Sequence, residues 1–481
     1  MIEPRHRLFD QGEVAGATGA RPIHSGSSTI SGVAVDSRKV VPGSAFFALP
    51  GERTDGHRFL DQAAQSGAVL LVVSAEQAEA RSAEIADLAR RFQLSVLASG
   101  NPLVALQDLA RFHLSRLPAM TRVAVTGSNG KTTTKELIAS ILRQVGPTTA
   151  NEGNLNSEIG LPLACFEISP TSRFTVFEMG INHPGEMEVL ADIVRPDVAL
   201  ITNIGVAHIG LLGSQEGIAR EKRMIFSKFD GRQTALLPEA TPFAALLAEG
   251  VRGRIAYHGP SSTPGYQGSE PLGLDGTIIR WEGLRVRFPL FGSHNLANAL
   301  AAISLSREMG VSIPAIRDGL EAAKPLFGRS QVLTGRLTLL SDCYNANPDS
   351  MGSALDFVEE VPWQGRKVAV LGAMRELGDQ TLDAHRALGR RLRQTSCGLV
   401  FLFGPEMEEA WNAVAGSPTA DQCQWFSQMD PLARALRTSL RSGDLVLLKG
   451  SRSLEMEQLL PSITGESAPA GHGAPGRAST C

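Results

Sequence analysis

The stretch RVAVTGSNGKTTTKELIASILRQV at 122–145 constrains the fold more than any other part of the chain. A short β-branched run delivers the backbone into a turn with two glycines, and a helix-forming segment starts directly after it. Glycines at such a turn let backbone N–H groups converge on an anion without interference from a Cβ. The helix turns its positive N-terminal end to the same point. Lys131 adds a formal charge suited to β- and γ-phosphates, and Thr132 a hydroxyl suited to Mg2+. The spacing departs from the usual G-x-x-x-x-G-K-[ST]: Val125 stands where the first glycine would be, and Gly127 lies only three positions before Gly130. A bare turn with a solvated lysine is the plain alternative, but G-x-x-G-K-T-T after an apolar strand favours phosphate. A buried strand that leads into such a loop and helix suits a parallel α/β sheet.

The chain around it has 481 residues, which suggests about three domains. With 43% hydrophobic and 20% charged residues it reads as globular and able to bury several cores. A net charge of -3 gives no global attraction for nucleic acid or acidic lipid, so any anion site must be local. Cys165, Cys343, Cys397, Cys423 and Cys481 are scattered, with no C-x-x-C pair. An odd, unclustered set argues against a disulfide framework or structural zinc and favours a reducing compartment. The N-terminus lacks the apolar segment of a secretory signal. Runs such as VALIT and LVLL suit buried strands and are too short for a transmembrane segment. These features place the chain in the cytoplasm.

Three α/β units follow from the pattern. Residues 1–102 form a small α/β domain, with VAVDSRKVVPGSAFFALPG alternating strands and turns. Residues 103–334 form a central domain that repeats strand, loop and helix. Within it the Gly/Pro/Ser-rich patch at 259–273 is a loop or hairpin connection, and FGSHNLANALAAISLSREMG opens an alanine-rich helix. Residues 335–464 form a third α/β unit in which apolar runs end in polar turns. The Gly/Ala/Pro/Ser-rich tail at 465–481 is expected to be disordered.

The chemistry gathers at strand ends. Glu178 closes the strand in RFTVFEMG, and His208 follows the strand in DVALITNIGVAH. Ligands of open α/β sheets bind along the carboxyl edge, so the glycine loop, Glu178 and His208 should converge. A glutamate there can hold a metal or order its water. His208 could equally be a satisfied loop histidine, since oxygen is the more usual Mg2+ partner. Lys222 lies in a helix that Ser214 could cap, and its neighbours Arg220, Glu221 and Arg223 would suit a solvated face. Asn295 opens a helix, where asparagine is commonly a cap, although its amide could meet a base edge. KGSRS at 449–453 is either part of a closing surface or a strand-end turn.

Together TGSNGKTTTKE, EMGINHPGEM, NIGVAHIGLLGS, EKRMIFSK, FGSHNLANALAA, DCYNANPDSM, LGAMRELG and LLKGSRS resemble the Mur ligases. Within that family NHPGEM, YNANP and GAMRELG are similar to the branch that adds D-alanyl-D-alanine to UDP-N-acetylmuramoyl-tripeptide. The short glycine spacing is the family's own version of the loop. The resemblance implies an N-terminal domain for the UDP end, a central P-loop ATPase and a C-terminal Rossmann-like domain that closes over the site, acting as a monomer. It implies ATP and Mg2+ as cofactors and an acyl-phosphate intermediate. Gly127, Ser128, Asn129, Gly130, Lys131, Thr132 and Thr133 would hold ATP phosphates, and Asn295, Arg329 and Asp342 the rest of the nucleotide. Thr132, Glu178, His208 and Lys222 would serve magnesium, with Lys222 at a position where the family carries a carbamylated lysine. Ser37 and Arg38 would lie near the uridine nucleotide, and Asn154, Asn156, Asn182 and His183 near the peptide substrate. Ala373 departs from the aspartate expected in most relatives, which would remove a contact to the dipeptide.

Three other readings compete. A sister ligase or a folylpolyglutamate synthase-like ligase would share the loop, but NHPGEM and YNANP argue against it. A P-loop GTPase switch would need an N-K-x-D motif, which the chain lacks. An inactive cell-wall scaffold would not need Lys131, Thr132, Glu178 and His208 intact.

Overall fold

The computed structural model describes residues 7–26, 29–51 and 54–465, so the tail beyond Gly465 lies outside the described residues. The chain builds three mixed α/β units, each around its own sheet. The first sheet has the order Arg21–His24, Ser95–Ser99, Ala68–Ser74, Ser44–Phe47, Gly32–Ala34, parallel except for its first edge strand. The central sheet is wholly parallel, in the order Arg254–His258, Thr234–Pro238, Val198–Ile201, Thr121–Thr126, Phe174–Glu178, Thr148–Ala150. The third runs Gln331–Thr334, Thr338–Asp342, Leu445–Lys449, Lys367–Gly372, Leu399–Phe403, Cys423–Phe426, with only the Gln331 edge antiparallel.

Parallel strands are covered on both faces, so their residues are apolar throughout and sort by parity. In the central sheet Val123, Val125, Val176, Leu200 and Leu236 face one way, into a core with the helices Lys131–Arg143 and Ser293–Glu308. Ala124, Phe177, Ala199, Ile201 and Leu237 face the other way. That second core also contains Ala45, Phe47, Leu70, Val72 and Leu97 from the first sheet and Leu106 and Leu109 from the helix Pro102–Arg116. One apolar cluster therefore joins the first and central units. The Pro102 helix, capped by Asn101, lies within it rather than acting as a linker.

The Gly/Pro/Ser-rich patch resolves in favour of a hairpin. Tyr266–Pro271 pairs with Thr277–Trp281, and that strand pairs with Leu284–Phe288, in a three-stranded antiparallel sheet. In the third unit, Gln331–Thr334 turns directly onto Thr338–Asp342, so residues 335–337 are a hairpin turn inside that sheet. Ile209, Ile218 and Phe291 of the central unit pack into one core of the third, and Phe291 stacks on Phe357 with centroids 4.4 Å apart. Among the described residues no helix is long and apolar enough to cross a membrane.

Candidate active site

The strand Thr121–Thr126 sits between Phe174–Glu178 and Val198–Ile201, where the chain switches from building one side of the sheet to building the other. Such a switch opens a crevice at the carboxyl ends of the strands. A cavity of about 860 Å³ occupies it, walled by the central and third units. Ser128, Asn129, Gly130, Lys131, Thr132, Thr133, Asn156, Glu178, Asn182, His208, Asn295, Arg329 and Asp342 all line it.

The loop is held by close packing and by side-chain amides. Gly127 and Gly130 have φ of 149° and 79°, and a Cβ at either would come inside 3.0 Å of Thr202 Oγ1 or Asn298 Oδ1. Both positions thus require glycine for conformation and for space. The Ser128 N–H donates to Asn203 O (3.0 Å) and the Asn129 N–H to Asn203 Oδ1 (3.0 Å). Thr202 Oγ1 donates to Asn129 O (2.6 Å). From the third unit, Asn347 Nδ2 donates to Asn129 Oδ1 (2.7 Å), so the Asn129 side chain reaches toward that unit. Lys131 Nζ donates to Gly127 O (2.8 Å). Burial lowers its pKa, opposed by the nearby Glu178 carboxylate.

Glu178 is 3% exposed. Its Oε1 accepts from Asn156 Nδ2 (2.7 Å), while Oε2 is buried without a hydrogen-bond partner. A buried carboxylate oxygen left open beside a phosphate loop fits a cation. His208 is held at φ 62°, and its Nδ1 lies 2.8 Å from Glu376 Oε2 of the third unit. Among the described residues no three His, Cys, Asp or Glu side chains form a self-sufficient metal cage. A divalent ion here would thus complete its coordination with phosphate and water oxygens, as Mg2+ commonly does.

Lys222 corrects the solvated-face alternative. Ser214 does cap its helix, Gln215–Arg223, and Arg220 is exposed, but Lys222 is only 1% exposed. Burial, reinforced by the charge on Lys131, pushes its pKa well below the ordinary lysine value, and among the described residues Nζ has no hydrogen-bond or ion-pair partner. Its neighbour Glu221 caps the NHPGEM helix, accepting from the Gly185 and Met187 N–H groups at 2.9 Å.

The far wall carries the remaining nucleotide candidates. Asn295 is not a cap: Gly292 holds that position, and Asn295 Nδ2 donates to Phe291 O (2.9 Å). The Arg329 guanidinium lies 4.0 Å over the Tyr344 ring. Asp342 Oδ2 accepts from Lys449 Nζ (2.6 Å). Lys449 ends its strand and lines the cavity, while Ser451 Oγ accepts from the Arg375 N–H (2.9 Å), so KGSRS ties two third-unit motifs together.

Several expected residues stand outside the cavity. Gly127 shapes the loop from behind, Asn154 and His183 are exposed, and Lys222 is buried and not among the residues lining the cavity. Ser37 and Arg38 lie in the first unit, where Ser37 Oγ donates to Gln62 Oε1 (2.9 Å) and Arg38 pairs with Asp36. Ala373 is fully buried against Gly404 and does not open on the cleft. Sequence reasoning singled out Lys449 only within KGSRS, as part of a closing surface or a turn, and missed Thr202, Asn203, Asn298, Asn347 and Glu376.

Three family models match the chain in order: the Mur ligase family catalytic domain over 29–113, the Mur ligase middle domain over 125–306 and the Mur ligase glutamate ligase domain over 328–452. The chain belongs to the Mur ligase family. It is 38% identical over 460 residues to the UDP-N-acetylmuramoyl-tripeptide–D-alanyl-D-alanine ligase of Treponema pallidum, covering 94% of this chain and 98% of that one. The structure of MurF from Acinetobacter baumannii matches with a TM-score of 0.84 at 29% identity, covering 96% of this chain and all of that one. MurF from Thermotoga maritima in complex with ADP matches with a TM-score of 0.76 at 27% identity, covering 90% of this chain and 97% of that one.

Proposed function

We propose that this chain is an ATP-dependent amide ligase that joins D-alanyl-D-alanine to the terminal carboxylate of UDP-N-acetylmuramoyl-tripeptide, a step of peptidoglycan precursor synthesis. The observation that carries this reading is the meeting of Lys131, Glu178 and His208 at one edge of one parallel sheet, facing a third unit, in a chain with near full-length relatives named for that activity.

The tripeptide carboxylate attacks the γ-phosphorus of ATP, ADP departs and an acyl phosphate forms. The dipeptide amine then attacks the acyl carbon, a tetrahedral oxyanion collapses, and phosphate leaves as the amine proton passes to solvent. The obstacle is electrostatic. Two like unit charges about 4 Å apart repel by roughly 4 kcal/mol at an effective dielectric of about 20. Lys131 and the N–H groups at the start of its helix reverse that sign, and positioning with electrostatics supplies most of the catalysis in such transfers. Bound Mg2+ would add positive charge on the phosphates, and Thr132, Glu178, His208 and Lys222 are the side chains that would serve it. Lys222 fits its part once carbamylated: a neutral buried amine adds to carbon dioxide, loses a proton and becomes an oxygen-bearing anion. Asn295, Arg329 and Asp342 take the nucleoside end.

The first unit, through Ser37 and Arg38, takes the UDP end, while Asn154, Asn182 and His183 border the peptide. The third unit takes the dipeptide and excludes water from the acyl phosphate. The protein works in the cytoplasm, where UDP-linked precursors and ATP are found, as a monomer. Phosphate release tests the reading with tripeptide alone, dipeptide alone and both. Sustained release is expected only from the pair, and Lys131→Ala abolishes it. Equal release with either substrate alone would contradict it.

A further inference from the structure

We infer that Asn156 is a positioning residue that limits Glu178 to a single metal-facing oxygen, an inference that rests on reading Glu178 as the metal-facing carboxylate. The family resemblance implies a place for Asn156 near the peptide substrate, yet its amide is committed elsewhere. Its Nδ2 donates to Glu178 Oε1 (2.7 Å), and its own carbonyl accepts from the Gly180 N–H (2.9 Å), two residues beyond Glu178. Side chain and main chain are thus both fastened to the end of the Glu178 strand.

A second amide fixes that strand end from behind. Asn151, 5% exposed, accepts from the Glu178 N–H through Oδ1 (2.8 Å) and donates through Nδ2 to Glu178 O (3.1 Å) and Leu155 O (2.7 Å). Lys135 Nζ, 1% exposed, donates to Asn151 O (2.5 Å). The helix that follows the phosphate loop therefore reaches Glu178 through Lys135 and Asn151. What remains open is Oε2, buried and without a partner.

The chemistry favours this asymmetry. Both oxygens of a free carboxylate can clasp a cation together, which suits Ca2+. Mg2+ demands near-octahedral geometry, keeps several waters and pairs better with one oxygen. A donor on Oε1 withdraws that oxygen and fixes the rotation of the carboxylate, so Oε2 is presented in one direction. Gly180 completes the arrangement: a Cβ there would stand 3.1–3.2 Å from the Asn156 amide. Gly180→Ala would therefore crowd the amide and force it to shift by a few tenths of an ångström.

The test is Mn2+ titration of the full-length protein with saturating ADP, followed by electron paramagnetic resonance, together with the KM for the UDP-tripeptide and heat denaturation of the metal-free protein. Asn156→Ala should weaken Mn2+ binding by about tenfold or more, the usual effect of removing a partner behind a metal ligand. Its tripeptide KM should stay near wild type, while metal-free melting falls modestly, because buried Glu178 Oε1 loses that donor. Gly180→Ala should weaken Mn2+ in the same direction with Asn156 still present. Unchanged Mn2+ affinity in Asn156→Ala with a raised tripeptide KM would overturn the inference and make the amide a substrate contact. Unchanged Mn2+ affinity in Glu178→Gln would overturn the underlying metal reading as well.

Discussion

Adding a single methyl group at Gly130 should expose how the phosphate loop is built. Gly130 sits at φ 79°, and a Cβ there falls inside 3.0 Å of Asn298 Oδ1, with the rest of that amide next in line. An L-residue in the left-handed region costs about 1–2 kcal/mol. Displacing the Asn298 amide also breaks its bonds with Thr134 Oγ1 (3.3 Å) and Asn295 Oδ1 (3.4 Å). Both are long, so about 1 kcal/mol each is an upper value. Gly130→Ala should then destabilise by roughly 1–4 kcal/mol. Asn298→Ala loses the same two bonds, at most about 2 kcal/mol, and it removes the obstruction. In the double variant the bonds are lost once and only the backbone strain is added. Its cost should fall below the sum of the singles by about 1–2 kcal/mol, beyond the usual additivity error. Urea unfolding of the four proteins measures the cycle. Agreement of the double variant with the sum of the singles would refute the steric account.

Two further outcomes follow from burial. His113 is buried between Phe9 and Phe166, and desolvation lowers its pKa to about 4 from 6.5. With the folded value below the unfolded one, its contribution is fully present above about pH 6.5 and drains away as pH falls towards 4. The loss reaches about 3 kcal/mol at most, so His113→Phe should flatten the acid side of a plot of urea midpoint against pH; an unchanged slope would count against it. Lys222→Met should lose turnover by about a hundredfold or more while melting at or above the wild-type temperature, because an unpaired buried amine gives way to an apolar chain. In the wild type, labelled bicarbonate should yield a carbamate resonance that the variant lacks.

The sequence shows those parts of the site that local chemistry dictates. An apolar strand, two glycines and a lysine at a helix start specify an anion loop, and the strand ends at Glu178 and His208 fall beside it because parallel sheets share a carboxyl edge. Lys222 reads as part of a solvated face beside its charged neighbours, although the sequence carries a signal for its burial. Ile218, Lys222 and Ile225 recur at the spacing of one helical face, and both isoleucines are fully buried. Asn298 lies one turn beyond Asn295, close enough for the two amides to meet. Asn347 and Glu376 carry no comparable signal, since they reach Asn129 and His208 from another folding unit, across 218 and 168 positions of chain. Ala373 shows the converse: a motif position that looked like part of a binding surface is interior, so the missing carboxylate is first a matter of packing.

The apolar cluster shared by the first and central sheets has a mechanical outcome. Turning the first sheet against the sheet that carries the phosphate loop would open that buried cluster to water, so the two move most easily as one piece.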